Sequence, residues 1–223
     1  MNICTIITAR GGSKGIPRKN IKLLNKKPVI SYSIEASTKN NLVTYVTTED
    51  DEIAKISREY GAKVINRPQE LAKDDSTSVD VILHALHHLE KKGTLPDFFV
   101  LLQPTSPLRT KEDVKNAIDL FIAKDCDALI SVCEIDHTSM LSLKIENKFL
   151  VPTCDETFLN TRRQELPTYY SANGAIYITT PESLRKRKTF YPTKTIPYIM
   201  PKERSVDLDT PFDFKLAEFL LKT

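Results

Sequence analysis

The chain has 223 residues, of which 40% are hydrophobic and 27% are charged, and its formal net charge is +3. This length fits one large domain or a core with a small appendage. No apolar run approaches the roughly 20 residues that a membrane helix needs, and a charge of +3 is too weak to predict nucleic-acid binding. The N-terminal segment lacks the basic region and cleavage site of a signal peptide, so we expect a cytoplasmic protein.

Strand-like and helix-like segments alternate through the first 135 residues. The predicted strands cover residues 3–7, 42–47, 63–65, 98–103 and 127–132, which are apolar or rich in β-branched residues. Predicted helices lie between them, at residues 28–36, 50–60, 78–92 and 110–124. This alternation predicts an α/β fold in which helices cover both faces of a mostly parallel sheet.

The alternation stops after residue 135. Residues 142–152 contain two short strand-like pieces around Glu146-Asn147-Lys148, which predicts a hairpin outside the sheet. Beyond it we expect a polar loop, a strand in "YYSANGAIYIT", a short helix after Pro181 and a strand near residues 196–200. Thr210 and Pro211 then form the start of a final helix.

Three polar segments follow predicted strands, and ligands of such sheets gather at the carboxyl ends of the strands. The first is "ARGGSKGIPRKN", residues 9–20, whose glycines let backbone N–H groups close around anionic oxygens. Its basic side chains could neutralise phosphate charges: Arg10, Lys14, Arg18 and Lys19. The segment has neither P-loop nor GxGxxG spacing, which argues against an ordinary ATPase or dehydrogenase. On its own it is equally compatible with a solvated loop.

This loop resembles the nucleotide-binding loop of the N-acylneuraminate cytidylyltransferase family, whose members activate nine-carbon acidic sugars. Five more segments resemble later motifs of that family, in the same order: "RPQELAKDDSTS", "LLQPTSPLRT", "RRQELP", "NGAIYI" and "SVDLDTPFD". The resemblance covers essentially the whole chain and implies a Rossmann-like three-layer nucleotidyltransferase fold. It also implies that CTP is coupled to sialic acid or to a related legionaminic or pseudaminic acid, releasing pyrophosphate and supplying cell-surface polysaccharide synthesis.

The resemblance implies roles for individual residues. CTP would bind Arg10, Gly11, Gly12, Ser13, Lys14, Lys19, Asn20, Arg67 and Ser78. The sugar acid would bind Gln103, Arg163, Asn173 and Tyr177, with Arg163 as the natural partner of its carboxylate. The catalytic residues would be Arg10, Lys19, Asp207 and Asp209. Because the displacement needs positioning and stabilised phosphate charge, a basic loop and a divalent metal suit it.

Asp207 and Asp209 are the predicted metal ligands. They are two residues apart, so both carboxylates point to the same face of an extended segment. Hard oxygen ligands suit Mg²⁺ or Mn²⁺. The alternative for Asp209 is an electrostatic effect at the N-terminus of the final helix. The pair together with the family pattern favours the metal.

Two departures from the sialic-acid members bear on the substrate. This chain has Ser171-Ala172 where many members have Arg-Pro, and Met140 aligns loosely with a lysine. Both changes remove charge near the expected sugar, so legionaminic or pseudaminic acid becomes credible. A ketodeoxyoctonate cytidylyltransferase and a non-catalytic nucleotide- or RNA-binding module are the other hypotheses, and the paired aspartates argue against the module.

We expect one domain, residues 1–223, in which about residues 135–172 form a small β-containing dimerisation extension. The expectation of a homodimer comes partly from the resemblance and partly from apolar residues in and beside the predicted hairpin: Leu141, Leu143, Phe149 and Leu150. Such residues fall outside the sheet and lack an obvious core to enter.

Overall fold

The computed structural model describes residues 1–13, 15–73, 75–136 and 141–222. In these residues the strands are β1 (Ile3–Thr8), β2 (Leu23–Leu24), β3 (Lys27–Pro28), β4 (Val43–Thr48), β5 (Lys63–Asn66), β6 (Phe98–Leu102), β7 (Ala128–Glu134), β8 (Leu143–Glu146), β9 (Phe149–Pro152), β10 (Tyr170–Thr179) and β11 (Thr195–Met200). The α-helices are α1 (Val29–Thr38), α2 (Asp51–Glu59), α3 (Ser78–Lys91), α4 (Lys111–Ala123), α5 (Pro181–Arg187) and α6 (Pro211–Leu220). The strands and helices predicted from the sequence are thereby confirmed, with ends that differ by one or two residues.

Seven strands form the central sheet, in the order β11-β7-β10-β6-β1-β4-β5. β10 runs antiparallel to both of its neighbours, and the other pairs in this sheet are parallel. The carboxyl ends of β1, β4, β5 and β6 therefore meet at one edge. The predicted α/β class and mostly parallel sheet are confirmed.

Helices cover both faces of the sheet, which gives the three predicted layers. Side chains alternate along each strand, so Phe98, Val100 and Leu102 of β6 pack with α1 and α4, whereas Phe99 and Leu101 pack with α3. These strand residues are all buried, as expected for a strand enclosed on both faces. A third cluster joins α6 to the β2–β3 hairpin beside the loop that follows β1.

The spacing of apolar residues predicts a core face of α3 made of Val79, Ile82, Leu83, Leu86 and Leu89, and the structure differs from it in part. Ile82, Leu86 and Leu89 are buried as expected, together with Val81 and Ala85. Val79 and Leu83, which were also predicted for this face, are only partly buried and pack at its margin. The buried stripe is thus rotated toward Val81, whose side chain also reaches the edge of the sheet where the polar segments meet.

The predicted hairpin is confirmed as β8 and β9, which form a two-stranded sheet of their own. Its turn residues, Asn147 and Lys148, have φ values of 50° and 71°, as a type I′ turn requires. A hydrogen bond of 3.0 Å from the Ile135 N–H to the Tyr169 carbonyl closes the base of this segment. Residues 170–172 belong to β10 and pair with β7, so the predicted extension overlaps the central sheet at its end.

Candidate active site

A cleft of about 460 Å³ lies at the carboxyl edge of the sheet. Four segments that the sequence separates widely line it: the loop after β1, the segment after β5 with the start of α3, the turn after β6, and the segment before α6. We call the side formed by Arg10, Ser13, Lys19, Asn20 and Arg67 the basic wall. We call the part of the lining formed by Gln103, Pro104 and Thr105 the turn wall.

A buried carboxylate holds the basic wall together. Glu49, just after β4, accepts a hydrogen bond of 2.7 Å from the Gly11 N–H through Oε1. Its Oε2 pairs with the Arg67 guanidinium, in which Nε lies 3.0 Å away. Arg67 Nη2 also donates to the Ala9 carbonyl at 3.0 Å. Because the Glu49 and Arg67 side chains are only 9% and 3% exposed, this pair is a fixed part of the wall.

A second acid anchors the same loop from outside. Asp50 caps α2 by accepting from the Ile53 N–H at 2.9 Å, and it pairs with Arg18. Hydrogen bonding from Arg18 lowers the pKa of Asp50 below its usual value, against the opposing effect of burial. Gly11 packs so closely that a Cβ there would lie 2.5 Å from the Asp50 carboxylate. The loop thus needs a glycine at position 11 in order to reach its anchors.

The basic wall meets the predicted metal ligands across the cleft. Lys19 Nζ lies 3.1 Å from Asp209 Oδ1. Asn20 Nδ2 donates to the Arg10 carbonyl at 2.9 Å, so the loop folds back on itself beneath these groups. A Cβ on Gly15 would lie 3.1 Å from the Asp209 carbonyl oxygen. The cationic loop and the acidic segment before α6 therefore form one site.

Gly174 brings β10 into contact with the turn wall. It has φ of +73°, and a Cβ there would lie 2.7 Å from Gln103 Oε1 and 3.3 Å from Ser106 Oγ. Asp207 Oδ2 would be 3.7 Å from the same Cβ. A side chain at position 174 would be both strained and obstructed. The glycine thus lets Gln103 and Asp207 both lie close to the backbone of β10.

Asp207 has the properties of a carboxylate suited to a cation. Its Oδ1 is buried and has no hydrogen-bond partner among the described residues. Burial raises the pKa of Asp207, as does nearby Asp209, whereas a hydrogen bond from Thr105 and the charge of Lys19 lower it. Among the described residues no cluster of three His, Cys, Asp or Glu side chains occurs. A bound Mg²⁺ would take its other ligands from phosphate and water, as this ion usually does.

Comparison with known proteins identifies the family. A family model described as Cytidylyltransferase matches residues 4–220. The chain belongs to this cytidylyltransferase family. In the described residues no helix has both the length and the apolar character required to span a membrane.

Curated relatives of this cytidylyltransferase act on different acidic sugars according to their names. The N-acylneuraminate cytidylyltransferase of Streptococcus agalactiae serotype V is 35% identical over 95% of this chain and 51% of its own length. The chain therefore spans about half the length of such relatives. The pseudaminic acid cytidylyltransferase of Campylobacter jejuni is 31% identical over 99% of this chain and 96% of its own. The CMP-N,N'-diacetyllegionaminic acid synthase of Legionella pneumophila is 31% identical over 100% of this chain and 97% of its own length.

Solved structures confirm the Rossmann-like nucleotidyltransferase fold. A CMP:2-keto-3-deoxy-manno-octonic acid synthetase complexed with CTP has a TM-score of 0.76 and covers 100% of this chain and 99% of its own. A 4-diphosphocytidyl-2C-methyl-D-erythritol synthase has a TM-score of 0.66, and the match covers 99% of this chain and 98% of that protein. Their sequence identities are 15% and 13%, so these structures support the fold alone.

Most of the residues that the sequence analysis singled out come together at the cleft. The lining includes Arg10, Ser13, Lys19, Asn20, Arg67, Ser78, Gln103 and Asp209. Gly11 and Gly12 lie in the loop behind it, and Asp207 lies beside the turn wall. Lys14 and the side chain of Arg163 lie outside the described residues, although the backbone of residues 163–165 forms a short 3₁₀ helix.

Asn173 and Tyr177 lie apart from the residues that line the cleft. Asn173 is buried, accepts from Ser131 Oγ at 2.6 Å and donates to Ser205 Oγ at 2.9 Å. These bonds lie at an irregularity in the pairing of β10 with β7. Tyr177 is buried against Phe190, with ring centroids 5.5 Å apart. Both side chains therefore have packing roles, and their contact with substrate stays a prediction.

Three residues that position the site were not singled out by the sequence analysis. Glu49 and Asp50 follow β4, and their place at the carboxyl end of a predicted parallel strand was a usable indication. Arg109 stands within the quoted "LLQPTSPLRT" segment, but nothing in the pattern shows that its guanidinium is buried.

Proposed function

We propose that this protein transfers the cytidylyl group of CTP to the anomeric hydroxyl of a nine-carbon 2-keto sugar acid. The observation that carries the proposal is the 3.1 Å distance between Lys19 Nζ and Asp209 Oδ1. This contact joins the cationic loop after β1 to the segment that contains both carboxylates. An anion-binding module would gain nothing from carboxylates facing its cations. A nucleotidyltransferase that uses a divalent cation needs both: cationic side chains for the phosphates and carboxylates for the metal ion, in one site.

The triphosphate is the ligand that the basic wall suits. Arg10, Lys19 and Ser13 offer charge and hydrogen bonds to its oxygens, while Arg67 and Ser78 lie along the cleft where the base would extend. The hydroxyl oxygen of the acid attacks the α-phosphorus, and the bond from that phosphorus to the bridging oxygen of the β-phosphate breaks. Pyrophosphate leaves with the electron pair, and the hydroxyl proton is lost. Lys19 stabilises the charge that accumulates on the phosphate oxygens.

Asp207 and Asp209 are the residues that would hold Mg²⁺ or Mn²⁺. Their carboxylate oxygens are hard donors, and the buried Asp207 Oδ1 has no hydrogen-bond partner in the part of the chain that the structure describes. The ion would neutralise phosphate charge. The acid would lie against the turn wall, with Gln103 as its polar contact and Arg163 as the proposed partner of its carboxylate. The reaction consumes CTP, and we place it in the cytoplasm, where it would supply CMP-sugars for cell-surface polysaccharide.

A nine-carbon acid is favoured over ketodeoxyoctonate. The relatives that are 31–35% identical carry names of N-acylneuraminate, pseudaminic acid and legionaminic acid enzymes. The ketodeoxyoctonate enzyme resembles this chain at 15% identity, which supports only the shared fold. The substitution of Ser171-Ala172 for Arg-Pro favours legionaminic or pseudaminic acid among the three.

A homodimer is part of the proposal. The β8–β9 hairpin exposes Ile145, Phe149 and Leu150, of which Phe149 is 74% exposed. A two-stranded hairpin is marginally stable by itself, and an exposed apolar patch of this kind usually contacts another protein. We propose that the predicted extension, about residues 135–172, contacts a second copy of the chain through this hairpin.

Pyrophosphate release tests the reaction. Each nucleoside triphosphate is incubated with N-acetylneuraminic, legionaminic, pseudaminic and ketodeoxyoctonic acids in Mg²⁺. We expect turnover with CTP and a nine-carbon acid, loss of turnover with a chelator and recovery when Mg²⁺ is restored. Turnover with ketodeoxyoctonic acid alone would favour the alternative, and no turnover with any pair would refute the proposal.

Asp207→Ala and Asp209→Ala test the metal ligands directly. Each is expected to abolish metal-dependent turnover while the circular dichroism spectrum is unchanged. Asp119→Ala is the matched control, because Asp119 is exposed on α4 and its ion pair is with Lys115, on the same helix. An Asp207→Ala protein with an undiminished rate would remove Asp207 from the site.

A further inference from the structure

Arg109 is a buried arginine for which the proposed reaction has no assigned role. It is 3% exposed, and among the described residues no carboxylate forms an ion pair with it. Burial lowers the pKa of Arg109 to about 9, against a weak opposing attraction from Asp113. The guanidinium is therefore charged at neutral pH. A buried charge without a paired acid is costly unless hydrogen bonds surround it, so its partners show what it does.

The partners of Arg109 are three backbone carbonyls and one hydroxyl, from three different parts of the fold. Arg109 Nη1 donates to the carbonyls of Ser106 and Ala175, both at 3.0 Å, and lies 3.4 Å from that of Gln103. Nη2 donates to Ser33 Oγ on α1. Ser33 Oγ in turn donates to the Gln103 carbonyl at 3.1 Å. One side chain thus ties the turn wall to α1 and to β10.

These contacts fix the two ends of the turn wall. Gln103 and Ser106 bound the turn, and Ala175 follows Gly174, against which the Gln103 side chain packs. Ser106 Oγ adds a bond of 3.2 Å to the Asn173 carbonyl. The Gln103 carbonyl is therefore held by Arg109 and Ser33, while its Oε1 lies beside Gly174, where a Cβ would be 2.7 Å away. Displacing such a contact by about 1 Å can cost on the order of 100-fold in rate.

We propose that Arg109, together with Ser33, is a positioning residue that sets Gln103 for the acidic sugar. The inference rests on the proposed function, because it assigns the turn wall to the sugar rather than to CTP. It predicts a selective effect. The basic wall shares no hydrogen bond with Arg109 in the described residues, so CTP binding should be unaffected when this network is weakened.

The experiment uses Ser33→Ala and Arg109→Lys in the full chain. Lysine keeps the charge but lacks the planar fork that reaches several acceptors at once. With the nine-carbon acid that the wild type turns over fastest, we expect KM for the acid to rise about 5-fold in Ser33→Ala. In Arg109→Lys, kcat/KM for the acid should fall roughly 10-fold to 100-fold. The Kd of CTP, measured by calorimetry, should change less than 2-fold in both.

Ser37→Ala is the matched control. Ser37 is also a fully buried serine of α1, but its hydroxyl bonds to Thr5 and Thr44 inside the core. It should lower the melting temperature without changing KM for the acid. Gln103→Ala completes the test: Arg109→Lys should have less than a 2-fold further effect in that background, because Arg109 acts through Gln103. If Arg109→Lys fails to fold, Ser33→Ala carries the same comparison.

The outcomes separate this inference from the proposed function. If the wild type turns over and Ser33→Ala leaves KM for the acid unchanged, or raises the Kd of CTP equally, the inference is wrong and the function stands. If the wild type shows no turnover, the function is wrong. In that case, hydrogen exchange at the Ser106 amide tests whether Arg109 and Ser33 hold the turn wall in place. Unchanged protection of this amide in both Ser33→Ala and Arg109→Lys would show that they do not.

Discussion

The two walls of the cleft are fixed by different interactions. The basic wall is held by a carboxylate, because Glu49 pairs with Arg67 and accepts from the Gly11 N–H. Asp50 pairs with Arg18 of the same loop. The turn wall is held by a guanidinium that binds neutral acceptors, the carbonyls around Arg109. The difference teaches that the positive charge of the loop is already partly balanced inside the protein. Among the described basic residues of the loop, Arg10 and Lys19 are those that line the cleft, and we expect them to contact a phosphate.

The largest effect is expected from Glu49→Gln, which breaks the anchor of the basic wall. Glutamine can still accept from the Gly11 N–H, but Arg67 loses its buried counter-charge. Removing one partner of a buried pair costs roughly 3–5 kcal/mol, and KM for CTP should rise about 10-fold if the loop shifts. Chemical denaturation and steady-state kinetics measure the two effects. Glu52→Gln is the control, since Glu52 is an exposed partner of Arg18 and should cost less than about 1 kcal/mol.

Lys19→Ala is expected to act on the chemistry rather than on the fold. Removing a cation that stabilises transition-state charge costs about 10²–10³ in kcat, or roughly 2.7–4 kcal/mol. Stability should barely change, because its partner Asp209 is exposed. Lys22→Ala is the matched variant: Lys22 lies over the Phe214 ring, outside the cleft. Equal losses of kcat in both variants would show that Lys19 has no special part in the reaction.

The sequence shows which charged residues could form the site, but not how they are held. Loop charges and paired acids such as Arg10, Lys19 and Asp209 are visible in the order of residues, while the roles proposed for them come from the family resemblance and stay predictions. The pairing of Glu49 with Arg67 depends on two strands lying side by side, and it could be inferred only once the strand order was known. The roles of Arg109 and Asn173 depend on an irregular register between β10 and β7, which alternation of apolar residues does not show.

Asp113→Asn should weaken the support behind the turn wall by a smaller amount. Asp113 caps α4 with Thr110 and accepts two hydrogen bonds of 2.9 Å from Arg204. Losing charged hydrogen bonds of this kind costs about 1.5–3 kcal/mol. Asp119→Asn on the exposed face of α4 is the control and should cost less than about 1 kcal/mol.

The same variant has a defined pH dependence. Burial by itself would raise the pKa of Asp113, but hydrogen bonds from Arg204 and Thr110 outweigh it and lower the pKa below the usual 3.8. The contribution of ionised Asp113 to the free energy of unfolding is therefore complete above pH 3.8. It is lost as the pH falls through the lower pKa that Asp113 has in the folded protein. Wild type and Asp113→Asn should converge in free energy of unfolding over that acid range. A constant difference down to pH 2 would show that the charge of Asp113 is not the stabilising feature.

The smallest effect on the fold is expected in the hairpin. Phe149 is exposed and belongs to a two-stranded sheet outside the core, so Phe149→Ser should change the stability of one protomer by less than about 0.5 kcal/mol. Its effect should appear in association, with a dimer at micromolar concentration becoming a monomer by light scattering. Ile122→Ser, an exposed apolar residue on α4, should leave the dimer intact. A dimer that persists in Phe149→Ser combined with Ile145→Ser would place the contact elsewhere on the surface.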